Sequence, residues 1–299
     1  MDRFQAMATF VTVVETGGFA SAARKLDVSP SVVSRVVTEL EERLGVRLLT
    51  RTTRVVRVTE VGTAYFEDCR RILGEVDDAE LSATGTHSTP RGQLTITAPM
   101  LFGKYFVMPV VIEYLSRYPQ ADVNAWFIDR VVNLVDEGID VAVRIGEMPD
   151  STLQAIRVGR VRRVLCASPA YLKEHGTPRR PEDLTSHTAI LASGISTTPE
   201  WRLDENGKQT VVRLQPRLTT TTNDAAITAA VAGFGITRLL SYQIAQHLRD
   251  GSLEIVLADF EPPALPIQVV HREGRHATQK VRAFLDLAID TLRAHPSLN

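Results

Sequence analysis

Ser31, Ser34, Arg35 and Thr38 recur at i, i+3, i+4 and i+7 within SPSVVSRVVTELEERLG, residues 29–45. That spacing puts them on one face of a helix. Short hydroxyl side chains let such a face come close to another surface. The single guanidinium adds a planar, permanently charged fork that bonds a phosphate or the edge of a guanine. Val33, Val37, Leu40 and Leu44 recur at i, i+4, i+7 and i+11 and form a separate apolar face. Ser29 suits the N-cap, Pro30 the first helical position and Gly45 the stop.

A polar face of this kind needs neighbours that present it. GGFASAARKLDV, residues 17–28, reads as a short helix with Ala22, Ala23 and Leu26 on one side. Small alanines allow two helices to cross closely. A tight turn then leads to Ser29, and the whole makes a helix-turn-helix, whose second helix enters the major groove by its N-terminal end. An ordinary helical hairpin with a solvated face satisfies the same spacing. The next segment, VRLLTRTTRVVRVT (46–59), holds two alternating runs with Arg51, Arg54 and Arg57 around a turn. It reads as a hairpin with a basic tip, suited to phosphates or a narrow minor groove, or else as a solvated hairpin. The candidate DNA-contacting residues are Ser29, Pro30, Ser31, Ser34, Arg35, Thr38, Arg51, Thr52 and Arg54.

Residues 2–60 resemble the winged helix-turn-helix of the LysR-type transcriptional regulators. Phe4, Phe10, Ala22-Ala23, Leu26, Ser29, Ser34-Arg35, Leu40-Glu41, Leu44-Gly45, Leu48-Leu49, Arg51, Thr59 and Gly62 carry the resemblance. Leu49 stands where the family usually has Phe, an apolar exchange. More loosely, the rest of the chain is similar too. The resemblance implies a homodimer or homotetramer on double-stranded DNA of dyad symmetry, and a small-molecule effector of unknown identity. It implies an α/β protein in three parts. These are a winged helix-turn-helix (1–59), a dimerisation linker helix and hinge (60–90), and a two-lobed effector domain like bacterial periplasmic binding proteins (91–299). Lobe I takes about 91–162 and 267–295, lobe II about 163–266, and two crossing strands form the hinge between them.

Charge distribution agrees with a DNA-binding N-terminus. The net charge of the 299 residues is only -1. Residues 1–59, however, hold nine Lys/Arg against six Asp/Glu, and residues 60–90 hold two against seven. A basic excess confined to the first segment is where counterion release needs it. The N-terminus lacks the pattern of a secretory signal and no run is long and apolar enough to span a membrane, so a cytoplasmic protein is expected. Cys69 and Cys166 are expected to be buried, inert thiols in different domains. The seven histidines show no metal-ligand spacing. Phosphate-binding glycine loops and the G-x-S-x-G nucleophile motif are absent. The expectation is therefore a non-enzyme without cofactor or metal. A solute-binding protein with an appended helical domain is the other reading, and DNA binding by residues 1–88 discriminates between the two.

Residues 60–83 read as one helix capped by Thr59. Tyr65, Cys69, Ile72, Val76 and Ala79 follow heptad spacing and are the candidate dimerisation seam, with packing on its own domain as the alternative. After TGTHSTPRG the pattern alternates strand and helix, which predicts an α/β domain with largely parallel sheet, including a short helix at VVNLVDEG. Ligands of such sheets bind beyond the carboxyl ends of strands. LTIT runs into Pro99, Met100 and Phe102, and LTTTT into Thr222 and Asn223, so these are candidate effector contacts. Thr222 and Asn223 also suit a helix cap, and Phe102 suits a core. Arg144, ending DVAVR, either meets an effector carboxylate or pairs with Asp140 or Asp129.

Overall fold

Asp2 accepts the Phe4 N–H at 3.1 Å and opens α1 (Arg3–Thr16); Gly17, at φ 71°, closes it. The computed structural model describes residues 2–51, 56–83, 89–148, 153–192, 199–205, 207–272 and 277–298, with the backbone alone at 51, 75, 77–79 and 81–83. The chain divides into two units, residues 1–88 and 89–299.

In the first unit α2 (Phe19–Leu26) ends at Asp27, whose left-handed backbone (φ 54°) turns the chain toward α3 (Pro30–Leu44). β1 (Leu49–Arg51) and β2 (Val56–Val58) pair antiparallel, Leu49 opposite Val58. α4 (Glu60–Ala83) follows. Phe10, Ala22, Ala23, Val33, Val37, Leu40, Leu48 and Leu49 form the core. Leu44 departs from the expected apolar face: it lies in the last turn of α3 and is 38% exposed.

The expected seam on α4 needs correction at Cys69. Tyr65 packs on Phe10, ring centroids 5.7 Å apart, and Cys69 is fully buried in the same core. Cys69, sealed within its own unit, has no surface left for a second copy, whereas Tyr65 is only half-buried. Ile72 and Val76 are partly exposed, and the Ala79 side chain lies outside the described residues.

The second unit runs β3 (Gly92–Ala98), α5 (Met100–Phe102), a π-helical turn, α6 (Met108–Arg117), β4 (Ala121–Phe127), β5 (Val141–Ile145), β6 (Gln154–Val161) and β7 (Arg163–Ala167). It continues with α7 (Pro169–His175), β8 (Ala189–Ala192), β9 (Glu200–Glu205), β10 (Lys208–Arg213), β11 (Pro216–Thr220), α8 (Asn223–Val231) and β12 (Ile236–Leu240). It ends with α9 (Ala245–Arg249), β13 (Glu254–Val256), β14 (Leu265–His271) and α10 (Gln279–Ala294). One sheet has the order β4-β3-β5-β14-β6, the other β11-β8-β12-β7-β13. Both are mixed rather than largely parallel. β3 is parallel to β4 and β5, while β14 is antiparallel to β5 and β6. β8 is parallel to β11 and β12, while β7 is antiparallel to β12 and β13. In each sheet one strand runs against the other four: β7, which enters the second lobe, and β14, which returns to the first.

VVNLVDEG is not a helix beyond a single turn. Asn133 bonds the Val135 N–H through its side chain and the Glu137 N–H through its carbonyl, and Gly138 at φ 63° ends the turn. β9 and β10 form an antiparallel hairpin around Gly207 at φ 83°. Asn206-Gly207 is its sequence signal.

Candidate DNA interface and ligand cavity

On α3 the buried residues Val33, Val37 and Leu40 hold the helix against the core, which leaves the other side to solvent. Ser29, Pro30, Ser31 and Arg35 are exposed; Ser34 and Thr38 are half-buried. The Ser29 hydroxyl caps the helix by accepting the Val32 N–H at 3.4 Å and lies 2.8 Å from the Ser31 hydroxyl. Thr38 donates to the Ser34 carbonyl at 2.8 Å. The Arg35 side chain is 71% exposed, with only a loose 3.9 Å pair to Glu39 one turn on. Such a pair contributes at most a few tenths of a kcal/mol, about 0.3–0.5, so the guanidinium is free to exchange it for a better partner.

The hairpin is tied to α3 by a residue whose role spacing did not reveal. Glu41 is 4% exposed, and its Oε1 accepts the Leu48 N–H at 2.8 Å and the Leu49 N–H at 2.9 Å. Arg47 approaches the other oxygen at 3.7 Å. Thr59 supports the same corner: it donates to the Arg47 carbonyl at 2.8 Å and accepts the Gly62 N–H at 2.9 Å. Arg51 lies on β1 with its side chain outside the described residues, as are Thr52 and Arg54 altogether. Arg57 on β2 is exposed.

Between the two sheets lies a cavity of about 300 Å3. It sits at carboxyl ends of parallel strands in both lobes. Pro99 follows β3, Asp129 and Arg130 follow β4, and Ile145 ends β5; on the other side are Ala192 ending β8, Leu240 ending β12 and Asn223 after β11. At those ends the sheet hydrogen bonds run out and the loops to the next element open a crevice.

Of the six candidates drawn from the sequence, Pro99 and Asn223 line this cavity and the other four do not. Met100 donates its N–H to Asp129 at 2.9 Å. Phe102 is fully buried, 4.8 Å from Phe106 and edge-on to Tyr242 at 5.4 Å, so it packs the lobes together beneath the cavity. Thr222 caps α8, accepting the Ala225 N–H at 3.3 Å. Arg144 projects to the face opposite Ile145, because successive strand residues alternate, and its Nη2 reaches the Val132 carbonyl at 3.5 Å. It forms neither of the expected ion pairs among the described residues: Asp140 accepts the Thr95 N–H and Asp129 that of Met100.

The cavity residues missed from sequence include Arg163, Arg238, Trp201, Tyr242 and Gln243. Arg238 was legible as a charge inside the apolar strand ITRLL, where a buried charge calls for a partner. Burial pulls its guanidinium down to about 10, helped by the positive charges of Arg163 and Arg202. Burial also lowers Arg163. Arg238 lies 6.0 Å from the Trp201 ring centre, over its face.

Residues 4–63 match the family model for the bacterial regulatory helix-turn-helix protein of the lysR family, and residues 87–293 match the LysR substrate binding domain. The chain belongs to the LysR family. It is a LysR-type transcriptional regulator with a substrate-binding domain. An HTH-type transcriptional repressor of Pseudomonas aeruginosa (strain UCBPP-PA14) is 33% identical over 300 residues, 100% of this chain and 95% of that one. The solved LysR-type regulator CrgA of Neisseria meningitidis is 31% identical, with a TM-score of 0.62 over 96% of this chain and 98% of that one. The full-length virulence activator AphB of Vibrio cholerae is 27% identical, with a TM-score of 0.62 over 97% of this chain and 99% of that one. Relatives of the LysR family named as repressor and as activator thus share the architecture. Among the described residues no helix is long and apolar enough to cross a membrane.

Cys69 and Cys166 are both buried free thiols, one in each unit. Burial raises both, Cys166 to about 12. Neither is poised as a nucleophile, since the thiolate is the reactive form.

Proposed function

We propose that this LysR-type chain is a sequence-specific DNA-binding regulator, cytoplasmic and non-catalytic, whose activity is modulated by a small molecule bound between the two lobes. The observation that carries the reading is the division of α3: three apolar side chains are sealed in the core while Ser31 and Arg35 stand exposed beside a capped N-terminus. A helix held in that way offers base-edge contacts by its N-terminal half. Ser29, Pro30, Ser31, Ser34, Arg35 and Thr38 then contact the groove, and Arg51, Thr52 and Arg54 the flanking backbone. A homodimer, joined further as a homotetramer, matches a dyad-symmetric operator, with Tyr65, Ile72, Val76 and Ala79 as the proposed seam of the pairing helices. The effector acts by favouring one arrangement of the lobes over another.

Footprinting of the full chain on the intergenic DNA beside its own gene, over a salt series, tests the reading. A symmetric protected site is expected. Arg35→Ala should weaken it by about 1–3 kcal/mol, concentrated at one base position if Arg35 reads a guanine. Unchanged affinity in Arg35→Ala would remove that residue from the interface. Absence of any specific site, including among genome-wide fragments, would refute the proposal and favour the solute-binding reading.

A further inference from the structure

The charges that line the cavity are unequally matched. Arg130 gives two bonds to Glu137, at 2.8 and 2.5 Å, and Asp129 accepts the Met100 N–H. Arg163 and Arg238 are different. They stand on the paired strands β7 and β12, Arg163 opposite Leu240 and Arg238 opposite Leu165, two residues apart on one face. Both line the cavity, both are partly buried, and neither meets an acid among the described residues. The charges that act on Arg238 are two more arginines. Two guanidiniums withdrawn from water with no counter-charge carry a desolvation cost that an anion in the cavity would relieve.

Two further features narrow the anion. Most of the remaining wall is apolar, including Leu191, Trp201 and Leu240 on the side of the two arginines, and the volume lies at the small end of the roughly 300–1,000 Å3 typical of ligand sites. Asn223, 3% exposed at the start of α8, lines the cavity with its Oδ1 lacking any hydrogen-bond partner among the described residues. A buried acceptor of that kind is matched by a donor on the ligand.

We infer that the cavity takes a small organic carboxylate, its charged end between Arg163 and Arg238, its apolar body against Leu191, Trp201 and Leu240, and a hydroxyl donated to Asn223. The inference rests on the cavity being the effector site, and it assigns the chemical class of the effector. Arg163 and Arg238 set specificity for the negative charge; Asn223 sets it for the hydroxyl.

The test is thermal melting of the full chain at constant ionic strength against benzoate, hexanoate and mandelate, the neutral amides of each, and inorganic phosphate. Saturable stabilisation by the carboxylates and none by the amides is expected, with mandelate half-saturating at the lowest concentration. R163Q and R238Q should each raise the half-saturating concentration at least about tenfold, since a charge-assisted hydrogen bond is lost. R163K and R238K keep the charge without the fork and should fall between; they also serve if a glutamine variant does not fold. R249Q, exposed on α9 and outside the cavity, should behave as the unaltered chain. Stabilisation by amides as strong as by acids, phosphate as effective as the carboxylates, no carboxylate response, or equal responses in the arginine variants each overturns the inference. Operator footprinting on the same preparation separates the two readings: a retained symmetric site with no carboxylate response overturns the ligand class and leaves the DNA-binding reading standing.

Discussion

Replacing Glu41 separates the two jobs its carboxylate does. Oε1 satisfies two backbone N–H groups, of Leu48 and Leu49, both residues at most 1% exposed. Glu41→Leu strands both donors away from water. At about 1–3 kcal/mol for each buried unsatisfied group, and with partial relaxation of so short a segment, a loss of about 2–4 kcal/mol is expected. Glu41→Gln keeps a carbonyl oxygen for the same two donors and gives up the charge of the 3.7 Å pair to Arg47, whose side chain is 77% exposed. Such a pair is worth about 0–1 kcal/mol. The assay is hydrogen exchange on the full chain, followed by mass spectrometry of peptides spanning 46–50. In Glu41→Leu the Leu48 and Leu49 amides should exchange on the order of 30-fold faster or more; in Glu41→Gln they should exchange within about fivefold of the unaltered rate. Operator affinity should fall with the leucine variant, because the hairpin is no longer registered against α3. Unaltered exchange in Glu41→Leu would refute the argument that one carboxylate holds the wing, as would equal losses in both variants.

Gly62→Ala places a Cβ 2.1 Å from the Leu48 carbonyl oxygen, so the start of α4 must move off the hairpin. A loss of about 1–3 kcal/mol is expected, and calorimetry of the first transition checks it; a midpoint unchanged within a degree or so would show that the corner relaxes freely. Cys166, held near 12 by burial, should resist a thiol reagent at about pH 8 until denaturant is added, and rapid labelling of the native chain would contradict its burial. Its linkage has a definite sign. The raised folded value contributes stability that is complete below the unfolded value, about 8.5, and is lost as pH rises toward the folded one. Between about pH 8 and pH 10.5 the unaltered chain should therefore lose about 2–3 kcal/mol more than Cys166→Ala, read from urea midpoints; parallel losses would show that Cys166 does not contribute.

Much of the first unit was legible because its signals are local. Ser29, Pro30 and Gly45 mark the ends of α3 within one turn of themselves, and the helical period sorts Val33, Val37 and Leu40 from Ser31 and Arg35. Charge segregation and the long spacing of the family residues needed no folding to be seen. The carboxyl-end rule for α/β sheets likewise led from LTIT and LTTTT to Pro99 and Asn223. Tertiary structure decided what depends on partners distant in the chain. Heptad spacing could not say whether Cys69 faces a second helix or the core of its own unit, because both surroundings are apolar. Strand parity turned Arg144 away from the cavity that its neighbour Ile145 lines. Arg163 and Arg238 lie far apart in sequence and become one charged pair only because β7 and β12 are hydrogen-bonded in a fixed register. Local composition dictates which elements form and where they end. Which side chains face the same empty space is set by pairings whose free energy exists only once the sheets are assembled.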